Sequence, residues 1–219
     1  MSYGYIGIFV VTLIIGLCAT GYVKHQIRKY QSVPISSGLS GYEVAQRMLA
    51  YHGIFNVTIQ RGRADQDFYD PRKRSITLDP DVFDGRSITA TATACHEVGH
   101  ACQHAQGYFP MKIRHVMVPV VNFTSNAWIF LLMIGVAAQI LMLIDLAIIF
   151  YSFAVLFQIV TLPVEFNASS RAMAYMEATG ILQSEQGGAF SVLRACALTY
   201  VAAALTSILQ LLWLLGQRD

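Results

Sequence analysis

Ser87-Ile88-Thr89-Ala90-Thr91-Ala92-Thr93-Ala94-Cys95-His96-Glu97-Val98-Gly99-His100-Ala101-Cys102-Gln103-His104-Ala105-Gln106 contains no proline and reads as one helix, with Gly107 where a C-terminal cap belongs. Residues four apart share a helix face, so the imidazoles of His96 and His100 can grip a single ion. Glu97 lies one position round and can reach a water on the open side of that ion, where it would act as a general base. The H-E-x-x-H spacing predicts zinc-dependent peptide hydrolysis. The run of small side chains before it lets another backbone come close. Two imidazoles and a carboxylate buried on such a helix are costly without a partner such as a metal.

Working outward, 55% of the chain is hydrophobic and only 13% charged, which is outside the range of an ordinary soluble domain and points to a membrane. Residues 5–23 are uncharged and long enough to cross a bilayer. No basic residue precedes them and no A-x-A site follows, and bulky Leu17 precedes Cys18, so they are expected to be a retained anchor rather than a signal peptide or lipoprotein leader. The stretch 116–162 is too long for one span. It reads as a hairpin of 116–138 and 143–162, with Asp145 at the far membrane surface. A last span, 195–215, makes four crossings.

Lys24, Arg28 and Lys29 follow the first span, Lys112 and Arg114 precede the second, and Arg194 precedes the fourth; alternation puts them on one side, with Arg218 alone on the other. The positive-inside bias makes that side cytoplasmic. A net charge of +2 gives no reason to expect nucleic acid as a partner.

Any further ligand must come from the side that holds His96 and His100. After the hairpin the chain returns there at Pro163, which is expected to start a helix, and Glu165 is the first carboxylate it meets. His96, His100 and Glu165 would then hold one Zn2+ and leave a position open for water. His104 competes poorly, because positions i, i+4 and i+8 span about 12 Å along a helix. Glu177 and Glu185 read as solvated surface groups. Cys95 and Cys102 lie off the ligand face and read as packing residues, and four unpaired cysteines fit a reduced compartment.

Between the first span and the motif helix, Ser40 and Glu43 form a capping-box pattern for a helix over 41–52, closed by Gly53. Residues 55–59 and 75–78 read as strands, either a hairpin packed on the motif helix or an edge to which an extended peptide adds. The charged segment 61–74 between them reads as a solvated loop.

The run Tyr69-Asp70-Pro71-Arg72, Ile76-Thr77-Leu78, Ser87-Ile88, His96-Glu97-Val98-Gly99-His100-Ala101 and Gln103-His104-Ala105, followed by the four-span layout, resembles the YugP-type neutral zinc metallopeptidases of bacterial membranes. The resemblance covers nearly the whole chain and implies zinc peptidase chemistry without naming a substrate. The order of motif, membrane hairpin and Glu-bearing helix is also similar to the integral-membrane gluzincins, in which an Asp commonly follows that Glu by four residues. Ser169 stands there in this chain, so Asn167 or another group is expected to orient His96 or His100.

The expectation is a mainly α integral membrane protein with about four transmembrane helices and a small α+β cytoplasmic zincin-like metallopeptidase domain. Residues 1–29 form an N-terminal membrane anchor, 30–115 the soluble zincin-like domain, 116–162 the transmembrane hairpin, 163–194 the third-ligand helix and connector, and 195–219 the C-terminal transmembrane helix. Glu97 is the catalytic base. Arg171, His104, Tyr108 and Tyr175 are candidate oxyanion donors that sequence does not rank. Peptides or membrane proteins are the expected substrates, in a bacterial inner membrane, with membrane-protein quality control the expected role and room for an oligomer or accessory membrane protein. A catalytically silent adaptor keeping the fold is the rival reading. An ion transporter finds no support in spans with so little charge.

Overall fold

The computed structural model describes residues 3–216; Arg218, used above for orientation, lies outside them. In chain order the elements are α1 (Tyr3–Gln31), α2 (Gly41–Tyr51), β1 (Thr58–Arg61), β2 (Phe68–Asp70), β3 (Ser75–Leu78), α3 (Pro80–Phe83), α4 (Ile88–Ala105), α5 (Phe109–Ala138), α6 (Leu141–Ala178) and α7 (Gln183–Gly216). Four of these, α1, α5, α6 and α7, are long and apolar enough to cross a membrane. They stand in file: α5 packs on α6, α6 on α7, and α7 on α1.

Local chemistry sets the ends of the shorter helices. Ser40 accepts a hydrogen bond from the Glu43 amide at 3.3 Å while Glu43 accepts one from the Ser40 amide at 2.7 Å, closing the capping box that starts α2. Ser87 caps α4 by accepting from the Ala90 amide at 3.1 Å, and Gly107, at a φ of 65°, takes the left-handed turn that ends it.

The sheet differs from the expected hairpin. β1 and β3 run parallel, and β2, formed inside the segment read as a loop, pairs antiparallel with the other side of β3. β3 is therefore the buried centre of the sheet, and the free edge near α4 belongs to β2. Met48, Ile76, Leu78, Cys95, Val98, Cys102, Met176 and Val192 fill one core between α2, the sheet, α4, α6 and α7.

Helix α6 also corrects the sequence reading. Pro163 does not begin a helix but sits inside one that runs unbroken from Leu141 to Ala178. Its ring frees the Ile159 carbonyl from its helical partner, a loss that surrounding helices and polar side chains can absorb in a membrane protein. Glu165 thus rides on the same rod as Asp145, twenty residues or about 30 Å away, and Asp145 lies beside the hairpin turn at Gln139 and Ile140. Glu185 differs as well: it is buried, and its carboxylate accepts from the Ser36 amide and hydroxyl at 2.7 and 2.9 Å, tying the start of α7 to the loop after α1.

Candidate metal centre

Helix α4 lies against α6 with almost nothing between them. A methyl group on Gly99 would stand 2.6 Å from the Ala168 carbonyl oxygen, and Ala168 itself is fully buried. The variable glycine of H-E-x-x-H is thus what lets the two backbones touch. His96 and His100 are carried up to Glu165 as a result.

Each histidine turns its Nε2 toward the same carboxylate oxygen. Glu165 Oε2 is 3.2 Å from His96 Nε2 and 3.5 Å from His100 Nε2, and the three candidate ligand atoms all lie within 4.8 Å of one another. A tetrahedral site with metal–ligand distances of about 2.0–2.1 Å has edges of about 3.3–3.4 Å, so these two separations suit a shared zinc ion. Among the described residues this is the one such cluster.

The outer nitrogens are also engaged. His96 Nδ1 lies 3.2 Å from the Ser169 hydroxyl, and His100 Nδ1 lies 3.0 Å from Gln103 Oε1. A protonated Nδ1 donating to these oxygens leaves both Nε2 lone pairs free for a metal. Gln103 is wholly buried and donates through Nε2 to the Val164 carbonyl at 2.7 Å and to Asn167 Oδ1 at 3.0 Å. Ser169 occupies the place of the expected Asp and contacts His96 nonetheless, while Asn167 acts behind Gln103 rather than on a histidine. In the sequence Gln103 enters only as part of the runs that carry the motif helix and the family resemblance. Its signal was available: a polar side chain three residues beyond His100, on the same helix face.

The electrostatics favour a cation. Burial works against a charged His100, but the hydrogen-bonded Glu165 carboxylate and the charges of Glu97 and Glu165 outweigh it, and the imidazole is held above its ordinary range. The opposite holds for His104, which burial and the nearby Arg74 hold below the usual range. The Tyr69 hydroxyl shares a 2.7 Å hydrogen bond with His104 Nδ1.

A cavity of about 790 Å³ opens over the cluster. Glu97 is in its wall, as are His96, His100 and Glu165; the β2 residues Phe68, Tyr69 and Asp70 form one rim, Asp67 sits beside them, and Tyr200 of α7 faces in from another side. Asp67 accepts from the Asp79 amide at 2.8 Å, yet burial, reinforced by Glu97, Asp79 and Asp65, pushes its carboxyl up to about 7. Of the four donors proposed from sequence, only His104 lines this cavity. Arg171 instead bridges Asn167 and Gln106 at 2.7 Å each, the Tyr108 hydroxyl donates to the Pro163 carbonyl, and Tyr175 packs edge-on against Tyr51. Tyr200 and His115, two further donors among the wall residues, carry no sequence signal that separates them from other residues of apolar helices. The thiols of Cys95 and Cys102 are buried away from the cavity, and burial pushes Cys102 up to about 11.

No solved structure matches this chain. It is 46% identical over 192 residues to the "Putative membrane protease YugP" of Bacillus subtilis (strain 168), an alignment covering 87% of this chain and 85% of that protein. The family model described as "Putative neutral zinc metallopeptidase" matches residues 5–218. With that match across almost all of its length, the chain belongs to this neutral zinc metallopeptidase family.

Proposed function

We propose that this protein is a membrane-embedded, zinc-dependent endopeptidase that hydrolyses peptide bonds at the cytoplasmic face of the membrane. The observation that carries this reading is the convergence of His96, His100 and Glu165 at tetrahedral-edge distances, beside Glu97, in a cavity bounded by a free strand edge. The small domain around α4 would be zincin-like, with a gluzincin ligand set.

Zinc held by these three residues would supply Lewis acidity and a water of lowered pKa. Glu97 takes the proton of the attacking water and returns it to the departing amine. His96 and His100 keep their Nε2 atoms forward because Ser169 and Gln103 hold the far side of each ring. An extended substrate pairs with the free edge of β2 by main-chain hydrogen bonds, which sets its carbonyl over the cluster. The Tyr200 hydroxyl makes no hydrogen bond among the described residues, so it is available to donate to the carbonyl oxygen as negative charge develops there. The basic residues Lys24, Arg28 and Lys29 in the last turns of α1, with Lys112 and Arg114 in the first turns of α5, support a cytoplasmic site.

Glu97→Gln tests the assignment. The variant binds one zinc per chain as wild type does and loses turnover; cleavage at the wild-type rate would remove Glu97 as base, and zinc binding without turnover in wild type would favour an adaptor. The site's place beside long apolar helices supports a role in membrane-protein quality control. It predicts that cells expressing Glu97→Gln accumulate uncleaved membrane proteins by terminal proteomics, and an unchanged membrane proteome would refute it.

A further inference from the structure

The cavity does not end at the metal centre. It continues along one face of α5 through Met111, His115, Val118, Pro119 and Asn122, whose spacing of four, three, one and three keeps them on a single side of the helix. Eleven residue-to-residue steps from Met111 to Asn122 make this face about 16 Å long. α5 is long and apolar enough to cross a membrane, and counted from Val116, where its uncharged stretch begins, Asn122 lies about 9 Å along that stretch. Tyr200 of α7 and Glu165 of α6 also line it. Further down, the cluster of Trp128, Tyr151, Leu211 and Leu214 closes the space between the helices.

Two features of this face are out of place on a helix that meets only lipid. Asn122 is exposed, and its carboxamide makes no side-chain hydrogen bond among the described residues. A lipid-facing amide without a partner is costly. Pro119 has no N–H to give the His115 carbonyl, so that carbonyl loses its helical partner on the same side. A donor and acceptors are therefore presented along a line that runs from the membrane interior to the free edge of β2. Extended polypeptide needs such groups when it leaves a helix in a place without water, because each of its N–H and C=O groups must be satisfied. A peptide arriving from water needs only the β2 edge.

We propose that this face of α5 is a track for membrane-protein substrates: it receives the unwound segment flanking a substrate's transmembrane helix and guides it to Glu97. This rests on the peptidase reading above. The substrate class it names is a chain still anchored in the bilayer, cleaved within a few residues of its span.

The test compares two probes with zinc-loaded full-length protein in vesicles. One is a single apolar span carrying a randomised twelve-residue flank; the other is the same flank pool as free peptides, with cleavage of both read by mass spectrometry. Wild type is expected to favour the anchored probe in kcat/KM. Asn122→Leu should lower the anchored-to-free ratio by roughly tenfold, the scale of one hydrogen bond lost in a dry site, whereas Asn122→Gln should largely restore it. Zinc content equal to wild type certifies the fold of both variants. An unchanged ratio in Asn122→Leu, as expected if a lipid chain fills the groove, overturns the track while leaving the peptidase reading intact. Failure of wild type to cleave either probe removes the peptidase reading, and the track with it.

Discussion

Replacing Gln103 with leucine separates what holds the fold from what tunes the metal site. Leucine nearly matches glutamine in volume, so the loss of packing is small. What disappears is the 3.0 Å contact to His100 Nδ1 and the two bonds that Nε2 gives to Val164 and Asn167. Leaving the His100 N–H buried without an acceptor costs about 1–3 kcal/mol. Partners of this kind are worth about 10–100-fold in metal affinity, or roughly 1.4–2.7 kcal/mol. Zinc-free protein titrated against a competing chelator should therefore show zinc bound about 10–100-fold more weakly in Gln103→Leu. Its zinc-free melting temperature reports the stability cost separately. Gln103→Glu keeps an acceptor for His100 but loses the donors to α6, and so retains affinity while melting earlier. A Gln103→Leu protein that is folded and binds zinc within about twofold of wild type would refute the role given to Gln103.

Gly99→Ala should damage the same site by a different route. Its methyl would lie 2.6 Å from the Ala168 carbonyl, so α4 and α6 must separate; zinc affinity should fall although no ligand has changed, as chelator competition will show. Tyr200→Phe should lower kcat by roughly 100-fold with zinc stoichiometry unaltered, and an unchanged kcat would remove Tyr200 from the reaction. Asp67 governs a pH effect. Its folded pKa of about 7 lies above the unfolded value near 3.9, so the folded chain holds a proton that the unfolded chain releases, and stability falls as pH rises from about 4 to about 7. Asp67→Asn, which keeps an acceptor for the Asp79 amide, should flatten that fall in melting temperature measured on zinc-free protein, and an identical pH profile would refute the assignment.

Much of this architecture is legible in the sequence where a local rule and a long pattern agree. Ser87, the small-residue run and Gly107 delimit α4, Ser40 and Glu43 delimit α2, and uninterrupted apolar stretches reveal the long helices. Topology singles out Glu165, because the chain must return to the side of the motif before it can reach the histidines. β2 was missed because Phe68, Tyr69 and Asp70 sit among charged residues, and pairing with the buried strand β3 overrides that local preference. Pro163 misled in the opposite way. A proline at such a place commonly opens a helix in water, whereas here the helices packed around it let α6 continue. The roles of Gln103, Ser169 and Tyr200 depend on which faces of α4, α6 and α7 meet, and that is a property of the packing of distant segments.

The divided construction of the metal centre has a consequence for biogenesis. His96 and His100 leave the ribosome well before Glu165 and Ser169, and the whole α5–α6 hairpin must be threaded between them. A nascent chain halted before α6 has two imidazoles but no carboxylate floor, no hydroxyl for His96 and no carbonyl for Gln103 to grasp. The centre is therefore completed only as the hairpin reaches its seat, so any activity it confers begins after insertion, and a chain that fails to insert is left with an incomplete site.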